Sequence, residues 1–209
     1  MSQHNPMRSL AALLCACAVA TILLYPDAAS AGSADAAPIQ GMTDRLRTQL
    51  LNAHNAARAN VSPVPATPLP RMTWDPGLEA LAQSWANTCP TGHNPDRHYV
   101  NELGRFIAGE NIAFRTNPWT GETLAASFDS WTKEAHGYDY ARNTCTAEPC
   151  GHYTQVVWQT STRVGCGARS NCPEWPQVLV CNYFYPGNFN SQRPYTMDGG
   201  AMTVPEPSP

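Results

Sequence analysis

The sequence predicts an α+β fold: a three-layer α-β-α sandwich in a single domain with three disulfides. Three observations predict it. Amphipathic helical patterns come first in the chain and strand-like stretches come last. Those late stretches carry bulky groups on both faces, so they need helices on both sides. Six cysteines follow an apolar leader, an even set in an exported chain. With 209 residues the chain can bury one sizeable core. Charged residues make up 14 %, the formal net charge is −3, and no Lys/Arg run occurs, which excludes a nucleic-acid footprint.

Residues 1–31 read as a signal peptide. Arg8 precedes the apolar run Leu10–Leu24, and Ala29-Ser30-Ala31 fits a small-x-small cleavage site. An uncleaved anchor, or lipidation within Leu14-Cys15-Ala16-Cys17, are the alternatives. Cleavage leaves a mature chain with no transmembrane segment, secreted or, in a bacterium, periplasmic. Residues 32–42 are small and polar, a flexible N-terminal segment.

A first helix is expected from Thr43 to Asn60. Leu46, Leu50, Ala53 and Ala57 make one stripe, Thr43 caps it, and Asp44 suits its first turn. His54 and Arg58, one helical turn apart within it, read as structural. Four prolines make 61–70 an extended loop. Asp75-Pro76 starts a second helix with Leu78, Leu81, Ala82 and Trp85 inward, ended by Cys89-Pro90. Residues 91–105, with His93 and His98, read as a polar loop leading into a short strand at Gly109–Phe114. A third helix runs from Gly121 to Ala135, with Leu124, Phe128, Trp131 and Ala135 apolar and Gly137 as its stop. Glu134 borders that face at the end where the helix dipole disfavours an anion; a solvated surface role and a site role both fit it.

Residues 136–149 form an aromatic, polar loop with Tyr138, Tyr140 and the close pair Cys145/Cys150. From Cys150 to Ser161, Tyr153, Gln155 and Val157 alternate with Thr154, Val156 and Trp158, which reads as the central buried strand with His152 at its mouth. Two more strands are expected at Arg163–Arg169 and Gln177–Phe184. The Pro-rich residues 196–209 read as a disordered tail. Cys89, Cys145, Cys150, Cys166, Cys172 and Cys181 lack a CxxC pair, which argues against a thiolate metal site. Spacing alone leaves their fifteen possible connectivities open.

Four motifs then make residues 43–195 resemble the CAP superfamily (SCP domain): cysteine-rich secretory proteins, insect venom antigen 5 and plant pathogenesis-related proteins of class one. They are His54-Asn55-x-x-Arg58, Gly109-Glu110-Asn111-Ile112, Gly151-His152-Tyr153-Thr154-Gln155-Val156-Val157-Trp158, and Val180-Cys181-Asn182-Tyr183 through Gly187-Asn188-Phe189. The resemblance implies an α-β-α sandwich and the pairs Cys89–Cys172, Cys145–Cys150 and Cys166–Cys181. It implies a cleft with His93, His152, Glu110 and Glu134, His93 being chosen over His98 by its Cys89-x-x-x-His93 spacing. Two imidazoles and carboxylates suit a divalent metal such as Zn²⁺, not obligatory for the fold. Asn111 and Asn182 are expected to fix turns through backbone bonds.

The function so implied is a secreted, non-enzymatic binding protein with no assigned catalytic residue. Its expected partners are a sterol or fatty acid on the Tyr138/Tyr140 loop, or another protein in a host or defence setting. The alternative is a metal-dependent peptidase in which Glu110 or Glu134 activates a metal-bound water.

Overall fold

The computed structural model describes residues 41–116, 121–146, 149–204 and 206, with the side chains of 121–123 and 125 outside that set. The expected signal peptide at 1–31, and all but the last two residues of the segment 32–42, lie outside the described residues.

The first helix, α1, spans Asp44–Ala59, and the Thr43 hydroxyl accepts from Leu46 N at its start. After the proline loop a two-residue strand, β1 (Thr73–Trp74), leads into α2 (Pro76–Asn87). The Asp75 carboxylate accepts from Gly77 N and Leu78 N, two of the helix's orphan donors, as the Asp-Pro signal predicts. The expected polar loop at 91–105 instead folds back as a hairpin, β2 (His98–Asn101) with β3 (Gly104–Ile107). Tyr99 and Phe106 on its inner face, packed on Phe184, supply the apolar area that makes it a hairpin.

Strand β4 (Gly109–Arg115) follows, then α3 (Gly121–Lys133) and a 3₁₀ turn at Glu134–Gly137. Two short strands, β5 (Tyr138–Asp139) and β6 (Thr144–Cys145), pair within the expected aromatic loop.

The stretch read as the central strand is helical: α4 covers Gly151–Val156. Tyr153, Val156 and Val157 share the core cluster with α1 and α3 residues, and their i, i+3, i+4 spacing is that of a helix face. The Thr154 hydroxyl donates back to Cys150 O, a helical i−4 contact. A short apolar run carries both periods at once, and burial on every side removes the polar face that would decide between them.

Strands β7 (Arg163–Ser170) and β8 (Gln177–Phe184) are where the sequence places them. The sheet order is β1-β7-β8-β4, with β1 parallel to β7 and the other pairs antiparallel. Every residue of β8 is buried. Leu179, Cys181 and Tyr183 meet α1, α3 and α4, whereas Val178 and Val180 meet Ala82 and Ala86 of α2. The three-layer sandwich therefore stands, with β8 as the strand covered on both faces. On β7, Gly165 and Gly167 face α2, and a Cβ at either would collide with the helix backbone at Glu79 or Gln83.

The three disulfides are Cys89–Cys172, Cys145–Cys150 and Cys166–Cys181. Cys166 and Cys181 are direct partners across β7 and β8. The expected disordered tail is held at its start: Ala66 N donates to Met197 O, and Gln159 Nε2 donates to Gly200 O.

Candidate functional site: two histidine–glutamate pairs beside a cleft

Glu110 is the second residue of β4, opposite Asn182 of β8. Its side chain is 1 % exposed, so its charge must be met inside the protein. Three donors meet it. His93 Nδ1 and Asn94 N donate to Oε1 at 2.7 and 2.9 Å, and Asn182 Nδ2 donates to Oε2 at 3.3 Å. His93 itself is 56 % exposed, so the buried acid orients an imidazole that reaches solvent. His98, the competing candidate, faces Asp96 at 3.4 Å on the hairpin and is not part of this pair.

The second pair has the same form. His152 Nδ1 donates to Glu134 Oε1 at 2.6 Å, and Oε2 of the same carboxylate accepts from the backbone N–H of His152 and Tyr153. Glu134 thus closes two orphan donors in the first turn of α4. The chain end of α3 that disfavours an anion delivers it to a helix start that welcomes one. The His152 ring stacks on Trp131, centroids 5.7 Å apart and planes at 14°.

Asn111 joins the two pairs. It follows Glu110 in sequence, and its Nδ2 donates to His152 O at 3.0 Å. Asn111 and Asn182 therefore fasten strands to the site, Asn182 through Gly109 O as well, where turn-fixing was expected.

His93 and Glu110 line a cleft of about 530 Å³ with Arg97, Ile107, Gln155, Asn188 and Phe189. Gln155 holds its far wall by accepting from Gly187 N while its amide donates to Ser161. Spacing gave no role to Gln155; the one signal was an amide inside an apolar run, which when buried must be bonded. Nδ1 of each histidine is committed to a carboxylate, and Nε2 of each has no hydrogen-bond partner among the described residues. Among the described residues no three His, Cys, Asp or Glu side chains are grouped to hold a metal ion. The four site residues form two pairs, with the glutamates acting as orienting groups.

Tyr138 and Tyr140 lie elsewhere. The Tyr138 hydroxyl donates to Asn143 Oδ1 and that of Tyr140 to Tyr195 O, and both rings are half-buried against the core. Tyr140 borders a wider hollow of about 880 Å³ together with Arg193, Met197 and Met202, away from both histidines.

His54 and Arg58 are structural. Arg58, 2 % exposed, donates to the carbonyls of Pro70, Val156, Trp158 and Gln159. Burial lowers its pKa to about 10.

An α-β-α sandwich with paired His–Glu groups at the sheet edge defines the class, and comparison with known proteins gives the family. Residues 51–183 match the CAP family, described as the cysteine-rich secretory protein family. Pathogenesis-related protein 1A of Nicotiana tabacum is 40 % identical over 146 residues, 69 % of this chain and 78 % of that protein. Human peptidase inhibitor 16 is 36 % identical over 166 residues, 76 % of this chain but 33 % of that protein. The chain thus spans about a third of the latter's length. Schistosoma mansoni venom allergen-like protein 4 shares the fold, with TM-score 0.60 and 24 % identity over 75 % of this chain and 97 % of that one. The chain belongs to the CAP family. No helix among the described residues is long and apolar enough to cross a membrane.

Proposed function

We propose that this is a secreted, non-enzymatic binding protein of the defence type, as the name of its tobacco relative suggests, which takes a divalent cation on its two Glu-held histidines, His93 from the cleft lining and His152 from outside it. One observation carries the reading: each imidazole has its Nδ1 held by a carboxylate, the arrangement that fixes tautomer and aim in metal-ligating histidines. Nε2 of each ring is the atom that would bind, with water filling the remaining positions. A bound cation would supply charge and orientation at the cleft.

The geometry gives less support to a hydrolase. Both oxygens of Glu110 and of Glu134 already accept from the protein, so neither carboxylate stands free as a general base. Sterol or fatty-acid binding at Tyr138 and Tyr140 likewise finds less support, because both hydroxyls and one ring face are engaged within the fold.

Zinc calorimetry on the disulfide-bonded protein near neutral pH tests the proposal. Glu110→Gln and Glu134→Gln, which loosen the rings while leaving them present, should weaken binding about 10- to 100-fold. His93→Ala with His152→Ala should abolish it. Wild-type affinity in the double variant would remove the cleft from consideration. Binding should also weaken as pH falls toward 6, because a ligating imidazole must be neutral.

A further inference from the structure

A third hollow, of about 500 Å³, shares no lining residue with the cleft or with the hollow at Tyr140. It lies where α1 ends, where α3 passes into its 3₁₀ turn, and where Tyr138 of β5 meets Tyr153 of α4, their ring centroids 6.2 Å apart. Its volume falls within the range of about 300–1,000 Å³ usual for small-molecule sites.

The chemistry of its lining is selective. Six of its eight residues carry a hydrogen-bonding side chain, and none carries a carboxylate, ammonium or guanidinium group. The other two are Ala57 and Ala135, whose small methyl groups leave the space open.

Several of those polar groups are unspent. Tyr153 is 6 % exposed, yet its hydroxyl has no hydrogen-bond partner among the described residues. A buried phenol ordinarily finds one. The hydroxyl is not sealed in, so it opens on the hollow that the residue lines. Burial raises its pKa, which keeps the proton on and leaves it both donor and acceptor. The His136 ring and the Ser62 hydroxyl likewise have no partner among the described residues. Asn60 gives its Nδ2 to Ala56 O, and Thr132 its hydroxyl proton to Asp129 O, so each keeps an oxygen able to accept.

This lining selects by charge and by polarity. An anion finds no cationic side chain of Lys or Arg here, and a cation finds no carboxylate. An acyl chain or a sterol would cover the phenol, imidazole and hydroxyl groups with hydrocarbon and leave them unpaired, which costs affinity. A compact carbon frame bearing several hydroxyls meets all of these groups at once, with its C–H edges against the Tyr138 and Tyr153 rings. We infer that this hollow is a binding site for an uncharged sugar residue, with the Tyr153 hydroxyl, His136 and Ser62 bonding its hydroxyl groups. The inference stands independently of cation binding.

Saturation-transfer NMR on the disulfide-bonded protein tests it, with the methyl glycosides of glucose, galactose, mannose and N-acetylglucosamine as probes. At least one is expected to show saturable binding. Tyr153→Phe keeps the ring in the core, and His136→Ala falls on a partly exposed turn. Each should weaken that binding about 3- to 10-fold, and the two together should take it below detection. Tyr185→Phe makes the same change in a separate packing cluster and should leave it as in the wild type. Wild-type melting temperatures in the variants show that the fold is kept. Absence of binding by all four glycosides, or equal binding by wild type and the double variant, would overturn the assignment. So would saturable binding of palmitate or cholesterol that needs the same two side chains, which would give the hollow to an apolar ligand.

Discussion

His54 lies wholly inside the core, with Nδ1 2.7 Å from Leu50 O and Nε2 3.0 Å from the Tyr183 hydroxyl. A carbonyl oxygen only accepts, so Nδ1 carries the proton and Nε2 accepts from Tyr183. The Tyr183 oxygen in turn accepts from Asn111 Nδ2, the same group that donates to His152 O. One chain of bonds thus runs from α1 to the site and needs a neutral imidazole. Burial pushes the His54 pKa down to about 4, with the Arg58 charge acting in the same direction. The folded value lies below the unfolded one near 6.5, so the unfolded chain takes up the proton first as pH falls. Stability from this residue is complete above about 6.5 and is lost progressively toward about 4, a total of about 3 kcal/mol. Denaturant titrations at neutral and acid pH measure it. An unchanged pH slope in His54→Gln would show that another group is responsible.

At the scale of the elements, α2 sits against β7 because Gly165 and Gly167 present bare backbone to it. Gly167→Ala sets a methyl against the backbone of Gln83, where no flexible side chain can yield. Overpacking of this kind costs about 1–3 kcal/mol. Thermal unfolding should show it, whereas Gly92→Ala, with nothing within 4 Å of the added carbon, should stay near wild type. Equal melting temperatures for the two would refute the close-approach account. Helix α4 makes the complementary point. Its six residues are too few for propensity to sustain a helix. Glu134 on its first N–H groups and burial of Tyr153 and Val156 hold it in place.

For the whole molecule, the sheet divides the interior, and covalent links tie the layers. Cys89–Cys172 joins the end of α2 to the β7–β8 connection across 83 residues, whereas Cys145–Cys150 spans 5. On the chain-entropy account the long closure contributes about 4–5 kcal/mol and the short one about 2. Replacing Cys89 and Cys172 together by Ala should therefore shift the denaturant midpoint about twice as far as replacing Cys145 and Cys150. The reverse order would mean that Cys145–Cys150 acts by holding α4 and His152, not by limiting the unfolded chain.

The helices α1, α2 and α3 and the strands β7 and β8 were legible in the sequence because each has a cap, a stop or an alternating pattern whose cause lies within a few residues. Thr43, Asp75 and the all-buried β8 are the clearest cases. The motifs also brought forward His93, Glu110, Glu134 and His152. The central strand was misread at 150–161, yet the three layers held, since β8 meets the same demand for cover on both faces. Tertiary structure alone decided that α4 is a helix, that residues 98–107 form a hairpin, and that each glutamate holds one histidine. The reason is common to all three. A chain records its own periodicity, but the bonds that settle an ambiguous segment or aim a buried charge come from partners far along the sequence: Glu134 for α4, Phe184 for the hairpin, and Asn182 for Glu110.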